Sequence, residues 1–259
     1  MTQAERRRYL IDTMLQEAGQ TRRTFLPEEK DERRLLRALF NVREPKAASA
    51  EFLTVEHDYL QTELERKGRV SLADLHPIAP QIYLWQGDIT RLAVDAIVNA
   101  ANSALLGCFL PNHACIDNAI HTAAGVELRL ACAKLMEAQG TPEPTGKVKV
   151  TEGYNLPAKY VMHTVGPVVN GVLTPRHQQL LRASYDACLQ AALKRNLHSL
   201  AFCCISTGVF GFPKREAAQI AVQAVRECQR GAGRELTVLF DVFQDDDFAI
   251  YHDLLIKEA

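Results

Sequence analysis

The sequence predicts an α/β chain in which a mostly parallel sheet is covered by helices on both faces, with a separate helical unit over residues 1–75 ahead of it. Three observations carry this reading. Charge is uneven: 28 of the first 75 residues are Lys, Arg, Asp or Glu, against 33 of the remaining 184. Beyond Leu75, short apolar runs alternate with longer stretches of helical period, as strand–helix–strand units require. One of those runs, Ser199–Ile205, is too apolar for a half-exposed strand and reads as a central one buried on both faces.

In the first unit, residues 5–16 gather Tyr9, Leu10, Met14 and Leu15 on one helical face. Residues 28–40 do the same with Leu35, Leu36, Leu39 and Phe40, and residues 52–64 give a third, weaker helix. His76-Pro-Ile-Ala-Pro80 then breaks the helical texture, because its prolines favour extended or turn backbone. The second unit, residues 76–259, is expected to hold strands at 81–86, 95–99, 147–151, 160–165, 199–205 and 236–243. Helices are expected at 122–139, 176–195, 215–229 and 246–256.

Composition removes several function classes. The chain of 259 residues is 47% hydrophobic and 24% charged, so it can bury a large core and is not disordered. Its formal charge of −1 supplies no field for nucleic acid or anionic lipid, so any anion must be held by local geometry. No apolar run approaches a membrane span and no secretory signal opens the chain, which makes the cytoplasm the expected compartment. Seven Cys in a chain of this size do not suggest a disulfide framework.

Four segments fall at expected strand ends, where ligands of parallel sheets collect. Gly87-Asp88-Ile89-Thr90 sets a carboxylate just past a strand. Asn99-Ala-Ala-Asn102 follows an apolar strand with small residues that let a ligand approach the backbone. Ser206-Thr207-Gly208-Val209-Phe210-Gly211-Phe212-Pro213 runs from the buried strand toward a helix. Its glycines can turn successive N–H groups into a concavity suited to a diphosphate. No Gly-Lys-Ser/Thr follows, so it is not an NTP-hydrolysing P-loop. Phe243 ends the last strand and can offer its ring to a purine.

Between the second and third segments, Cys108-x4-His113-x-Cys115 places two thiols and an imidazole within eight residues, a ligand set that suits Zn²⁺. Three ligands leave one position for water or substrate, as in catalytic zinc sites. A fourth ligand from His121, Cys132 or the Cys203-Cys204 pair would close it instead.

In this order and spacing the segments resemble the macrodomain family, over roughly residues 80–257. The resemblance implies a three-layer α/β/α fold with a mixed, mostly parallel sheet, and binding of ADP-ribose. It assigns Asp88 and Ile89 to the adenine-reading turn, Asn99 and Asn102 to the distal ribose and residues 206–212 to the diphosphate. One departure is informative. Hydrolytic macrodomains commonly carry a glycine run followed by Val-Asp-Gly where this chain has residues 107–118, a substitution similar to the zinc-containing, sirtuin-linked microbial subgroup, which also has an N-terminal helical extension. That match makes Cys108, His113 and Cys115 the Zn²⁺ ligands, puts Asp117 in the place of the catalytic Asp, and has Asn102 position the distal ribose. It implies a hydrolase that removes mono-ADP-ribose from a modified protein side chain, with a lipoyl-carrier protein of the glycine-cleavage type as the modified partner. A non-catalytic ADP-ribose reader and an O-acetyl-ADP-ribose deacetylase are the alternatives.

Overall fold

A computed structural model of the chain describes residues 1–20, 28–231 and 235–256. Thr2 starts the first helix by a reciprocal cap: its hydroxyl accepts from Glu5 N, and Glu5 accepts from Thr2 N at 2.7 Å. This helix, α1 (Gln3–Glu17), packs with α2 (Glu29–Val42) and α3 (Ala50–Lys67). Ser49 caps the start of α3, and Gly68, at φ +81°, ends it. Their apolar faces meet in a cluster of their own that includes Leu10, Ile11, Met14, Leu36, Phe40, Phe52 and Tyr59, joined by Val126 of the second unit. Burial of each such side chain stabilises by about 1.5–3 kcal/mol. A buried ion pair, Arg7 to Glu32 at 2.8 Å, fixes α1 against α2.

From Val70, ahead of the expected boundary after residue 75, the chain runs β1 (Val70–Ser71), β2 (Pro77–Ala79), β3 (Ile82–Gln86), β4 (Leu92–Ala93), β5 (Ala96–Ala100), α4 (Ile116–Ala124), α5 (Val126–Gln139), β6 (Val148–Glu152), β7 (Tyr160–Thr164), α6 (Pro175–Lys194), β8 (Ser199–Phe202), α7 (Lys214–Gly231), β9 (Thr237–Val242) and α8 (Asp245–Ile256). Among the described residues seven strands form one sheet in the order β2-β3-β9-β8-β5-β7-β6, with β1 and β4 paired apart from it. Only the edge strands β2 and β6 run antiparallel to their neighbours. Pro77 is tolerated because β2 is an edge. Every residue of β8 is buried, as the apolar run predicts, so helices must cover both faces of the sheet there. Asp95 seats the strand: its carboxylate accepts from His198 N at 2.7 Å and Ser199 N at 3.1 Å. β8 ends at Phe202, three residues short of the expected end. Among the described residues all seven Cys are free, and no helix is long and apolar enough to cross a membrane.

The helix expected at 122–139 is two helices, and the first begins at Ile116. Gly125, at φ +89°, separates them: its N–H caps α4 on His121 O, and the next N–H, that of Val126, donates to Glu56 Oε1 of α3 at 2.9 Å. A Cβ on Gly125 would stand 2.7 Å from both Glu56 Oε2 and Asn155 Nδ2, in a backbone region that L side chains rarely adopt. Gly125→Ala is therefore expected to lower unfolding stability by about 2–4 kcal/mol, read as a drop in the urea midpoint at unchanged slope. A midpoint within error of wild type would show that the junction relaxes freely.

Candidate active site

The four segments singled out in the sequence leave the carboxyl ends of β3, β9, β8 and β5, which are consecutive parallel neighbours in the sheet. They therefore line one continuous rim. At about 4.8 Å per strand it is roughly 14 Å wide.

At the β3 end, Asp88 Oδ1 accepts from Thr90 N at 3.1 Å and from the Thr90 hydroxyl, while Oδ2 pairs with Lys67 Nζ at 3.0 Å. Burial pushes this carboxyl up, but Thr90 and Lys67 outweigh burial and hold it below the usual carboxylate range. Ile89 is 1% exposed and its side chain belongs to the core, so it is its backbone that can serve the rim. At the β9 end Phe243 is 77% exposed, outside the core. Beside Asp88 lies Asp241, a residue that sequence reasoning passed over. Its buried carboxyl is pushed well up by burial and by the charge of Asp88, and its Oδ1 has no partner among the described residues.

At the β8 end the loop turns on Ser206, at φ +67°, and is closed by Phe212 N donating to Ser206 O at 3.0 Å and Gly211 N to Gly208 O at 3.0 Å. The N–H groups of Gly208, Val209 and Phe210 donate to no main-chain acceptor among the described residues, as a phosphate cradle requires. Val209 is 81% exposed at the loop tip. Phe212 is 2% exposed and packed in the core, so its ring anchors the loop from below and does not cover a ligand; Phe210 is the half-buried aromatic.

At the β5 end two amides grip Asp117, which the early start of α4 places in that helix's first turn. Asn99 Nδ2 donates to Asp117 Oδ1 at 2.7 Å, and Asn102 Nδ2 lies 3.4 Å from Oδ2 while also donating to Gly107 O at 3.0 Å. Asn99 is fully buried, so it orients the carboxylate and offers no surface to a ligand, against the expectation for this residue. Burial pushes the Asp117 carboxyl up to about 6, with Asn99 and the charge of Arg129 opposing.

Beneath Asp117 lies a layer that the sequence did not reveal. His163 Nδ1 is 3.2 Å from Asn99 Nδ2, the donor, so Nε2 carries the proton and donates to Thr151 Oγ1 at 3.0 Å. Burial lowers His163 to about 4 and His121 well below its ordinary value, so both imidazoles are neutral. The 3.5 Å contact of His121 Nε2 with Asp117 Oδ1 is then not an ion pair. For His163 the sequence offered one hint, a single His inside the apolar strand Tyr160–Thr164.

Cys108, His113 and Cys115 bring one donor atom each within 4.8 Å of one another, half-buried. Cys108 Sγ to His113 Nδ1 is 3.5 Å, against roughly 3.6 Å for the sulfur–nitrogen edge of a tetrahedral zinc site. The donors present therefore fit zinc. Burial pushes the Cys115 thiol up to about 11, so a cation must displace a proton to bind there. His121 and Cys132 do not join this group. They cluster with His163 as a separate buried trio in which both His163 nitrogens are already engaged, and Cys203 and Cys204 follow the end of β8 instead. Cys115 also caps α4, its sulfur accepting from Asn118 N at 3.4 Å, so the ligand loop and the helix that carries Asp117 are one continuous piece.

Residues 98–221 match the Macro domain family. Over 260 residues the chain is 49% identical to a protein-ADP-ribose hydrolase of Treponema medium, covering 98% of this chain and all of that one. It is 46% identical over 254 residues to a protein-ADP-ribose hydrolase of Staphylococcus aureus (strain MRSA252), covering 97% and 95%. Among solved structures, the Trypanosoma brucei macrodomain in complex with ADP-ribose superposes with a TM-score of 0.67 at 32% identity, covering 84% of this chain and 94% of that one.

Proposed function

Because this chain belongs to the macrodomain family, we propose that it is a cytoplasmic, zinc-dependent hydrolase that releases mono-ADP-ribose from modified protein side chains. The observation that carries the proposal is the order of the rim. Asp88, the 206–212 loop and the Asn102–Asp117 pair follow one another across β3, β8 and β5, the order in which adenine, diphosphate and distal ribose occur in ADP-ribose.

Asp88 accepts from the adenine amino group, with Phe243 against the ring. The N–H groups of Gly208, Val209 and Phe210 and the dipole of α7 hold the diphosphate. Asn102 and the 107–115 loop face the distal ribose. Asp117, with its oxygens held by Asn99 and Asn102, orients a water toward C1 of that ribose and takes its proton. The water oxygen bonds to C1 as the bond from C1 to the side-chain oxygen breaks, and the proton that Asp117 took passes to the departing oxygen, which restores the carboxylate. Cys108, His113 and Cys115 would hold zinc, which when bound would supply a polarising centre beside the distal ribose. With two thiolates and a neutral imidazole that centre sums to zero charge, which suits orientation better than hydroxide generation. A lipoyl-carrier protein of the glycine-cleavage type is the acceptor to assay first.

Cys108→Ala tests the metal part. Zinc content per chain is expected to fall from near one to near zero and turnover by at least about 100-fold, with the melting temperature close to wild type. Full turnover by metal-free protein would end the zinc reading. Release of free ADP-ribose from a modified protein tests the hydrolase itself.

A further inference from the structure

We propose that the N-terminal helices are part of the metal site: Arg37 and Asn41 of α2 are positioning residues that hold the ligand loop and set its affinity for the cation. The inference rests on the zinc reading above. Between Gly107 and Cys115 the chain forms no helix or strand, yet it must hold three donors to a few tenths of an ångström. Arg37 Nη2 donates to the carbonyl of His113 itself at 3.1 Å, and its Nε and Nη2 both donate to Asn118 Oδ1, at 3.2 and 3.0 Å. Asn118 passes the restraint on: its Nδ2 donates to Leu110 O at 3.1 Å and its main-chain N to Cys115 Sγ at 3.4 Å. One guanidinium thus braces two ligands.

Asn41 fixes the residue before His113. Its Oδ1 accepts from Asn112 N at 2.8 Å, where Asn112 stands at φ +57°, and its Nδ2 donates to Thr122 of α4 at 3.0 Å. Arg129 closes the other side, donating to the carbonyls of Phe40 and Arg43 at the end of α2 while its guanidinium lies 4.4 Å from the ring centroid of Phe109, next to Cys108. Partners that orient metal ligands change affinity or activity by about 10–100-fold when removed. A lysine at position 37 offers a point charge and no planar fork, so it cannot serve His113 O and Asn118 together.

The test uses the full chain with zinc ion as the probe, in competition with a chromophoric chelator. Melting temperature, kcat and KM are read alongside. Arg37→Ala and Asn41→Ala are each expected to weaken zinc binding by about 10–100-fold, and Arg37→Lys to recover little of it. At saturating zinc kcat is expected to return toward wild type with KM near normal. A variant that melts lower while its folded fraction binds zinc like wild type would overturn the proposal and leave the zinc site standing. Wild-type protein with no saturable zinc binding would overturn both, and normal zinc affinity in Asn41→Ala would overturn it even if Arg37→Ala fails to fold.

Discussion

Asp117→Asn is expected to lower kcat by about 10²–10⁴-fold, the range associated with loss of a positioned general base. Shape is preserved: the amide oxygen can still accept from Asn99 Nδ2, and position 117 keeps its place in the first turn of α4, three residues before the buried Ile120. Zinc content, melting temperature and ADP-ribose affinity should therefore stay near wild type while release of ADP-ribose from a modified protein collapses. Full turnover in a folded, zinc-loaded Asp117→Asn protein would remove this residue from the chemistry and throw the burden onto the metal loop.

The second large effect concerns stability. Glu56, in α3, is buried against Gly125, and burial, with the nearby charge of Glu127 adding and Arg43 and the Val126 N–H bond opposing, raises its carboxyl to about 8. A raised carboxyl binds its proton more tightly folded than unfolded, so folding stability falls as pH rises. Below about pH 4.5 both states are protonated and there is no penalty. Between about 4.5 and 8 the unfolded chain ionises first, and above about 8 the penalty is complete, up to about 4–5 kcal/mol for this one group. Glu56→Gln removes the proton and should retain the bond from Val126 N. Urea unfolding at pH 5.5, 7 and 8.5 should show wild type weakening relative to the variant as pH rises. Parallel curves would mean that Glu56 does not carry the dependence.

What was legible in the sequence were the features written locally. Strand ends with Gly, Asn and Asp, and a Cys-His-Cys loop, announce themselves within a dozen residues, and all four rim segments came to adjacent strands. Side-chain direction was less legible: Ile89 and Phe212 lie inside motifs yet point into the core, because the turn that follows each strand decides which side faces out. Least legible were partners distant along the chain. His163 meets Asn99 across 64 residues and Arg37 meets His113 across 76, and no local pattern encodes either. Gly125 was visible, but a single glycine does not say whether a helix bends or breaks, and the carboxylate of Glu56 settles that from another unit.

Because the 107–115 loop borrows its hold from α2, it is not a transplantable cassette. Grafting those residues into a glycine-run relative would deliver sulfur and imidazole without the guanidinium fork that aims them. Conversely, trimming the first three helices to obtain a minimal core would sever Arg37 from His113 and leave Arg129 with two acceptors gone. The appendage and the loop at the pocket are therefore joined by the hydrogen bonds of Arg37 and Arg129.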